Sequence, residues 1–165
     1  ALAGKYVVLE WVNFDCPYVK KHYRSGNMQK LQKKYAKKGV VWLSICSSSP
    51  GKQGHFEGDA LKERIAKEKA IPTAYLLDPS GKVGRAYMAR TTPHMYIIGP
   101  KQHLIYMGAI DSKRSWRASA IKTATNYVSE VLDARLSGKK VKPKATAPYG
   151  CSVKYKRRSR KRPSN

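Results

Sequence analysis

Residues 6–28, YVVLEWVNFDCPYVKKHYRSGNM, decide how the chain folds. Residues 6–12 are almost unbroken apolar, β-branched or aromatic, interrupted only by Glu10. Such a run suits a strand covered on both faces, as in a parallel sheet. The second half places apolar side chains at Val19, Tyr23 and Met28, and the stripe continues at Leu31 and Tyr35, close to helical spacing. The helix is predicted to run unbroken to about Lys38 and to stop at Gly39. Cys16 joins strand to helix, with Pro17 at the favoured first helical position. A thiol at that turn faces unpaired backbone N–H groups and the positive end of the helix dipole, and both favour the nucleophilic thiolate. Cys16 is therefore the candidate reactive residue.

Working outward, the chain has 165 residues, enough for one domain with a real core. At 41% hydrophobic it does not have the composition of a disordered protein. Lysine and arginine number 34 against 10 acids, a formal charge of +24. A charge of that size attracts polyanions such as nucleic acid, anionic lipid or an acidic protein, and it does not specify a fold. No apolar run reaches the length of a membrane span. Three cysteines, Cys16, Cys46 and Cys151, make an odd count rather than a disulfide framework. With four scattered histidines they show no zinc spacing.

Residues 40–46, VVWLSIC, form a second predicted strand, with Cys46 a small buried thiol at its end. The following SSSPGKQG is a loop. Its Gly-Lys lacks the earlier Gly and the following Ser or Thr of a phosphate loop. Asp59 is the predicted cap of a helix over about 60–69, with Leu61 and Ile65 inward. Residues 72–77 form a short strand closed by the Asp78-Pro79-Ser80-Gly81 turn. Residues 95–98 and 104–107 form an antiparallel hairpin. A last helix is predicted over about 119–136, with Ile121, Ala124, Val128 and Leu132 on one face. The order is that of an α/β domain with a mixed sheet over residues 1–138. Residues 139–155 follow as an arm docking on it, and 156–165 as a disordered basic tail. The many lysines of the first helix, Lys20 and Lys21 among them, belong to a solvated face or to an anion-facing surface beside the thiol.

Four stretches together carry a resemblance: DCPYVKKHY at 15–23, TTPHMYIIGP at 91–100, YMGAID at 106–111 and PYGCSVKY at 148–155. With them the chain resembles the thioredoxin-like superfamily, and within it the peroxiredoxin-like redoxins related to alkyl hydroperoxide reductase and thiol-specific antioxidant proteins. The resemblance implies a thioredoxin-like fold, a mixed central sheet flanked by helices. It also implies a further N-terminal hairpin, which is missing here, so the N-terminus is expected to be trimmed. Cys16 matches both the first cysteine of the thioredoxin motif and the peroxidatic cysteine. Pro93, preceded by Thr92, matches the proline that is cis beside the active thiol. Glu10 matches a buried acid with a raised pKa that moves protons to or from the leaving sulfur.

The departures from the family pattern are as informative. Val19 stands where thioredoxins have a second cysteine. Asn13 and Leu9 stand where peroxiredoxins have a hydroxyl residue and a proline. Asn13 retains an amide able to hydrogen-bond a peroxide, and Arg85 and Arg90 are candidates for the arginine that polarises it. Cys151, in a basic context, is the candidate resolving thiol, brought back by an arm that Tyr149, Val153 and Tyr155 anchor.

Two functions are compatible with these residues. One is a thiol-dependent oxidoreductase in which Cys16 attacks a peroxide or a disulfide and an external thiol restores it, with no organic cofactor or metal required. The other is a redox-inactive module of the same fold that binds nucleic acid or another polyanion through Lys156, Arg157, Arg158, Arg160, Lys161 and Arg162. Redoxins of this type occur inside cells and exported, so the compartment stays open.

Overall fold

The computed structural model describes residues 2–140 and 144–157. In chain order the elements are β1 (Val7–Trp11), α1 (Pro17–Arg24), α2 (Asn27–Ala36), β2 (Val41–Cys46), α3 (Gly58–Lys67), β3 (Ala74–Leu77), α4 (Lys82–Ala86), β4 (Thr91–Thr92), β5 (His94–Ile98), β6 (Leu104–Gly108), a 3₁₀ turn (Ala118–Thr123), α5 (Tyr127–Leu136), β7 (Lys144–Ala145) and β8 (Cys151–Ser152). Six strands form one sheet in the order β3-β2-β1-β5-β6-β7, and β4 pairs separately with β8. β1 runs parallel to β2 and antiparallel to β5, and every residue of it is buried. The apolar run around Glu10 therefore marks the centre of a mixed sheet of the thioredoxin-like kind.

Alternation along β1 assigns its side chains to two cores. Val8 and Val12 face the layer built from Val19 and Tyr23 of α1, Met28, Leu31 and Tyr35 of α2, and Val128, Val131 and Leu132 of α5. Val7, Leu9 and Trp11 face the opposite side, where Ala89 and Val153 complete the cover and Tyr155 packs against it. The C-terminal arm contributes to both layers. Tyr149 belongs to the first core and Val153 to the second, so the arm passes around the sheet with Cys151 at the crossing.

Three sequence expectations are corrected. The helix after Cys16 is not continuous to Lys38. It breaks at Ser25 and Gly26, and α2 restarts at Asn27. Gly26 adopts φ +73°, a left-handed conformation that glycine accepts freely and that ends the ladder of helical hydrogen bonds. Asp59 does not cap α3. Glu57 holds the cap position, and Asp59 lies in the first turn, 2.8 Å from Lys62. Leu61 and Ile65 are only half-buried. The last helix is divided into the 3₁₀ turn and α5, because Asn126 begins a new helix by accepting the Ser129 N–H at 2.9 Å. Residues 83–88 fall largely within the short α4.

Among the described residues no helix is long and apolar enough to cross a membrane. Arg158, Arg160, Lys161 and Arg162 of the basic tail lie outside the described residues. Lys156 and Arg157 are exposed.

Candidate active site

Cys16 sits at the N-terminus of α1, five residues beyond the end of β1, in the cap position with Pro17 as first helical residue. Its backbone N–H donates to Asn13 O at 3.0 Å, and its carbonyl accepts from Val19 and Lys20, so the turn holds the side chain in one direction. The thiol is completely buried and donates to the Thr92 carbonyl at 3.0 Å. The Thr92–Pro93 peptide is cis. Thr92 is also the register partner of Cys151 across the β4–β8 pair.

That pairing places the two thiols next to each other, and both are free. Burial first, then the hydrogen bond and charge of Cys16, push the Cys151 pKa up to about 12, with Lys154 opposing. Cys46 is buried elsewhere, its thiol on Gly54 O at 3.3 Å.

Cys16, Thr92, Pro93 and Cys151 thus converge, whereas Glu10 and Asn13 are occupied by other partners. Glu10 is fully buried and accepts from Tyr23 Oη at 2.8 Å, Trp42 Nε1 at 2.8 Å, Ser44 Oγ at 2.9 Å and Gln32 Nε2 at 3.3 Å. Burial raises its pKa, and these four hydrogen bonds pull in the other direction. The carboxylate ties β1 to β2, α1 and α2. The Asn13 amide is held by the neighbouring loop: it donates to Gln53 O at 3.2 Å and accepts from Asp15 N–H at 2.9 Å. The Arg85 guanidinium lies over the Tyr155 ring and donates to Lys156 O at 2.7 Å, while Arg90 is exposed.

A polar cluster that the sequence did not reveal lies beside the thiols. Lys21, placed by sequence among the surface lysines, is buried and ion-paired with Asp111 at 3.0 Å. Tyr149 donates to the other Asp111 oxygen. His22 packs next to them, its Nε2 3.7 Å from Asp111. Asp111 and Tyr149 fall inside two of the motifs quoted above, but only the fold shows that they meet Lys21. On the exposed side of α1 an open cleft of about 800 Å³ is lined by Pro17, Tyr18, Lys20, Arg24, Trp116 and Arg117, among others.

Two histidines near the site give the fold a defined pH response. Burial, with Asp111 opposing and Lys21 assisting, lowers the His22 pKa to about 4. Burial and Arg90 lower that of His94 to about 4. A folded-state pKa below the unfolded value means that the neutral form is favoured by folding, so the contribution is full above the unfolded pKa and is lost as pH falls through the folded one. Urea-derived stability is therefore expected to fall between pH 6.5 and 4. Each histidine accounts for at most ~3 kcal/mol of the loss. His22→Gln and His94→Gln are each expected to flatten that slope, and an unchanged slope in both would contradict the assignment.

The fold, with a cysteine at the N-terminus of the helix after the central strand and a cis proline against it, defines a redoxin of the thioredoxin-like superfamily. The chain belongs to the AhpC/TSA family, whose model matches residues 1–107. Among solved structures it is similar to an uncharacterised conserved protein from Geobacillus kaustophilus, with TM-score 0.76 and 26% identity, covering 96% of this chain and 81% of that one. A hypothetical protein from Sinorhizobium meliloti gives TM-score 0.72 at 21% identity, covering 93% and 81%. The thioredoxin domain of a thiol-disulfide oxidoreductase from Bacteroides vulgatus gives 0.51 at 17%, covering 74% and 80%. Among curated proteins there is no significant match. Membership of the family supports a thiol redox function. The family match ends at residue 107, before Asp111, Tyr149 and Cys151.

Proposed function

We propose that Cys16 and Cys151 form a dithiol/disulfide redox couple, with Cys16 the nucleophile and a disulfide the preferred substrate. The observation that carries this reading is the contact of the two thiols across the Thr92–Cys151 strand pair.

The chemistry proceeds in two exchanges. Cys16, as thiolate, attacks one sulfur of the substrate disulfide. A Cys16–substrate sulfur bond forms, the substrate S–S bond breaks, and the departing thiolate takes up a proton. Cys151 then loses its proton and attacks the Cys16 sulfur. The Cys16–Cys151 bond forms and the second substrate thiol leaves. The protein dithiol is oxidised by two electrons and the substrate disulfide is reduced to two thiols. An external dithiol reverses the sequence. Pro93 and the Thr92 carbonyl shape the wall against which the substrate sulfur is attacked. The arm that carries Cys151 supplies the second thiol that Val19 replaces in the helix.

A disulfide is favoured over a peroxide because two of the groups that would activate a peroxide, Asn13 and Arg85, are engaged elsewhere, and Arg90 is exposed. The Asn13 amide is bonded to Gln53 and Asp15, and Arg85 is bonded to the arm backbone. The alternative of polyanion binding has the charge and the basic cleft along α1 as its support.

The test is reaction of the reduced protein with graded ratios of oxidised to reduced glutathione, followed by acid quench, alkylation and peptide mapping. The expected product is a Cys16–Cys151 disulfide, preceded by a transient glutathione adduct on Cys16 and none on Cys46. Hydrogen peroxide is expected to react at the rate of an unassisted thiol. Failure to form the disulfide under any ratio would remove the couple. Cys16 sulfenic acid appearing several orders of magnitude faster than an unassisted thiol allows would replace the disulfide substrate by a peroxide.

A further inference from the structure

The Cys16 sulfur meets no solvent, so a substrate reaches it only if the cover moves. The segment carrying Cys151, paired to Thr92, is part of that cover. On one side it is fastened at Thr146, whose N–H donates to Met107 O at 3.0 Å and whose hydroxyl meets Tyr106 Oη and the Ala109 N–H. On the other it is fastened at Val153, whose N–H donates to Arg90 O, and at Tyr155, whose hydroxyl donates to Ala89 O at 2.7 Å. Between these anchors, residues 147–152 are held by the short β4–β8 pairing and by Tyr149.

Tyr149 is held by a closed polar network. Lys21 uses its three donors on Asp111 Oδ2 at 3.0 Å, Lys113 O at 3.0 Å and Tyr149 Oη at 3.2 Å. Asp111 Oδ1 accepts from Tyr149 and from the Lys113 N–H at 2.9 Å. The Tyr149 ring packs edge-on against Tyr18, with Lys21 Nζ 5.5 Å from its centre. Tyr18 and Lys21 both belong to α1, the helix that Cys16 caps. The network thus ties the residue two positions before Cys151 to the helix that begins beside Cys16. A buried ion pair whose hydrogen bonds are all met holds one geometry and loses it as a unit.

We propose that Lys21, Asp111 and Tyr149 form a latch that positions Cys151 on Cys16 and governs access to the thiol. Closed, the latch seals Cys16 and presents Cys151 for the second exchange. Open, residues 147–152 lift between the Thr146 and Val153 anchors and admit a peptide or protein disulfide to Cys16. The three residues are positioning residues and act through the arm. The substrate part of this inference rests on the dithiol reading above, whereas the control of access rests on geometry alone.

Tyr149→Phe is the clean probe. It keeps the ring against Tyr18 and removes only the hydroxyl, leaving the Lys21–Asp111 pair intact. Gly150→Ala opens the arm by another route. Gly150 has φ +134°, and a Cβ there would strike the Thr92 carbonyl, forcing the segment off β4 without touching the network. Labelling of Cys16 by a polyethylene-glycol maleimide and by iodoacetamide is measured in native buffer, with the labelled cysteine identified by mapping. Labelling by the bulky reagent is expected to rise about tenfold in both variants, with a smaller rise for iodoacetamide. The lifetime of the Cys16–glutathione adduct is expected to lengthen about tenfold in Tyr149→Phe, a change that a uniformly loosened fold would not confine to the second exchange. If Gly150→Ala opens Cys16 and Tyr149→Phe leaves both readouts at the parent value, the arm is a cover but the network is not its latch. If the parent never forms the Cys16–Cys151 disulfide, the dithiol reading falls and the labelling ratio alone decides the latch.

Discussion

Cys16→Ser is expected to reduce oxidation by glutathione disulfide to background, because a serine hydroxyl at this position supplies no thiolate for exchange. Cys151→Ser is expected to behave differently. The first exchange survives, the second does not, and the Cys16–glutathione adduct accumulates to one equivalent. The contrast between a variant that never takes up glutathione and one that keeps it orders the two thiols, which a loss of activity in both would not do. The proposed order rests on the different settings of the two thiols. Cys16 holds the cap position of α1, and the pKa of Cys151 is pushed up to about 12 by burial and by Cys16. Mass spectrometry of the two variants after the same exposure checks it. Adduct accumulation on Cys151 in Cys16→Ser, with none on Cys16 in Cys151→Ser, would reverse the assignment.

Asp111→Ala is expected to have the largest effect on stability. It removes the carboxylate from a buried ammonium and leaves the charge of Lys21 uncompensated, with side-chain exposure of 0% for Lys21 and 3% for Asp111. Loss of one partner of a buried pair costs about 3–5 kcal/mol. For a chain of this length that corresponds to a midpoint lowered by on the order of 10 °C. Removing both charges, as in Lys21→Met with Asp111→Leu, is expected to recover much of the loss, since no buried charge is then stranded. Urea and thermal unfolding of the single and double variants measure the coupling. Additive losses in the double variant would show that the pair is not the origin of the effect.

The centre of the fold was legible because its physics is local. The apolar run through β1 announces a strand buried on both faces. Cys16 followed by Pro17 announces a helix start, and the two apolar runs at 95–98 and 104–107 announce a hairpin. Each depends on residues within a few positions of one another. The break at Gly26 was less visible, since the apolar stripe continues through it from Tyr23 to Leu31 and only the backbone changes direction. The fate of Lys21 was not legible at all. A lysine in a helix crowded with lysines carries no mark of burial. What distinguishes it is Asp111, ninety positions away, and Tyr149, further still. Asn13 shows the converse. Its position relative to Cys16 suggested a ligand to substrate, but the loop at Gln53 takes up its amide, and the helix start gives no sign of that loop. Local pattern located the thiol, and long-range polar pairing decides what surrounds it.

The crossing of the arm between the two cores gives oxidation a mechanical meaning. Positions 16 and 151 are 135 residues apart, so a bond between them would be a covalent belt around nearly the whole domain. Closing a loop of that size removes chain entropy from the unfolded state worth about 5 kcal/mol. By the same linkage, the fold returns this advantage to the bond. For a two-electron couple it lowers the reduction potential by on the order of 100 mV relative to the same two thiols in an unfolded chain. The oxidised protein would be the sturdier one and the reduced protein the one more easily taken apart. Electron supply would then govern the lifetime of the molecule as well as its readiness to react.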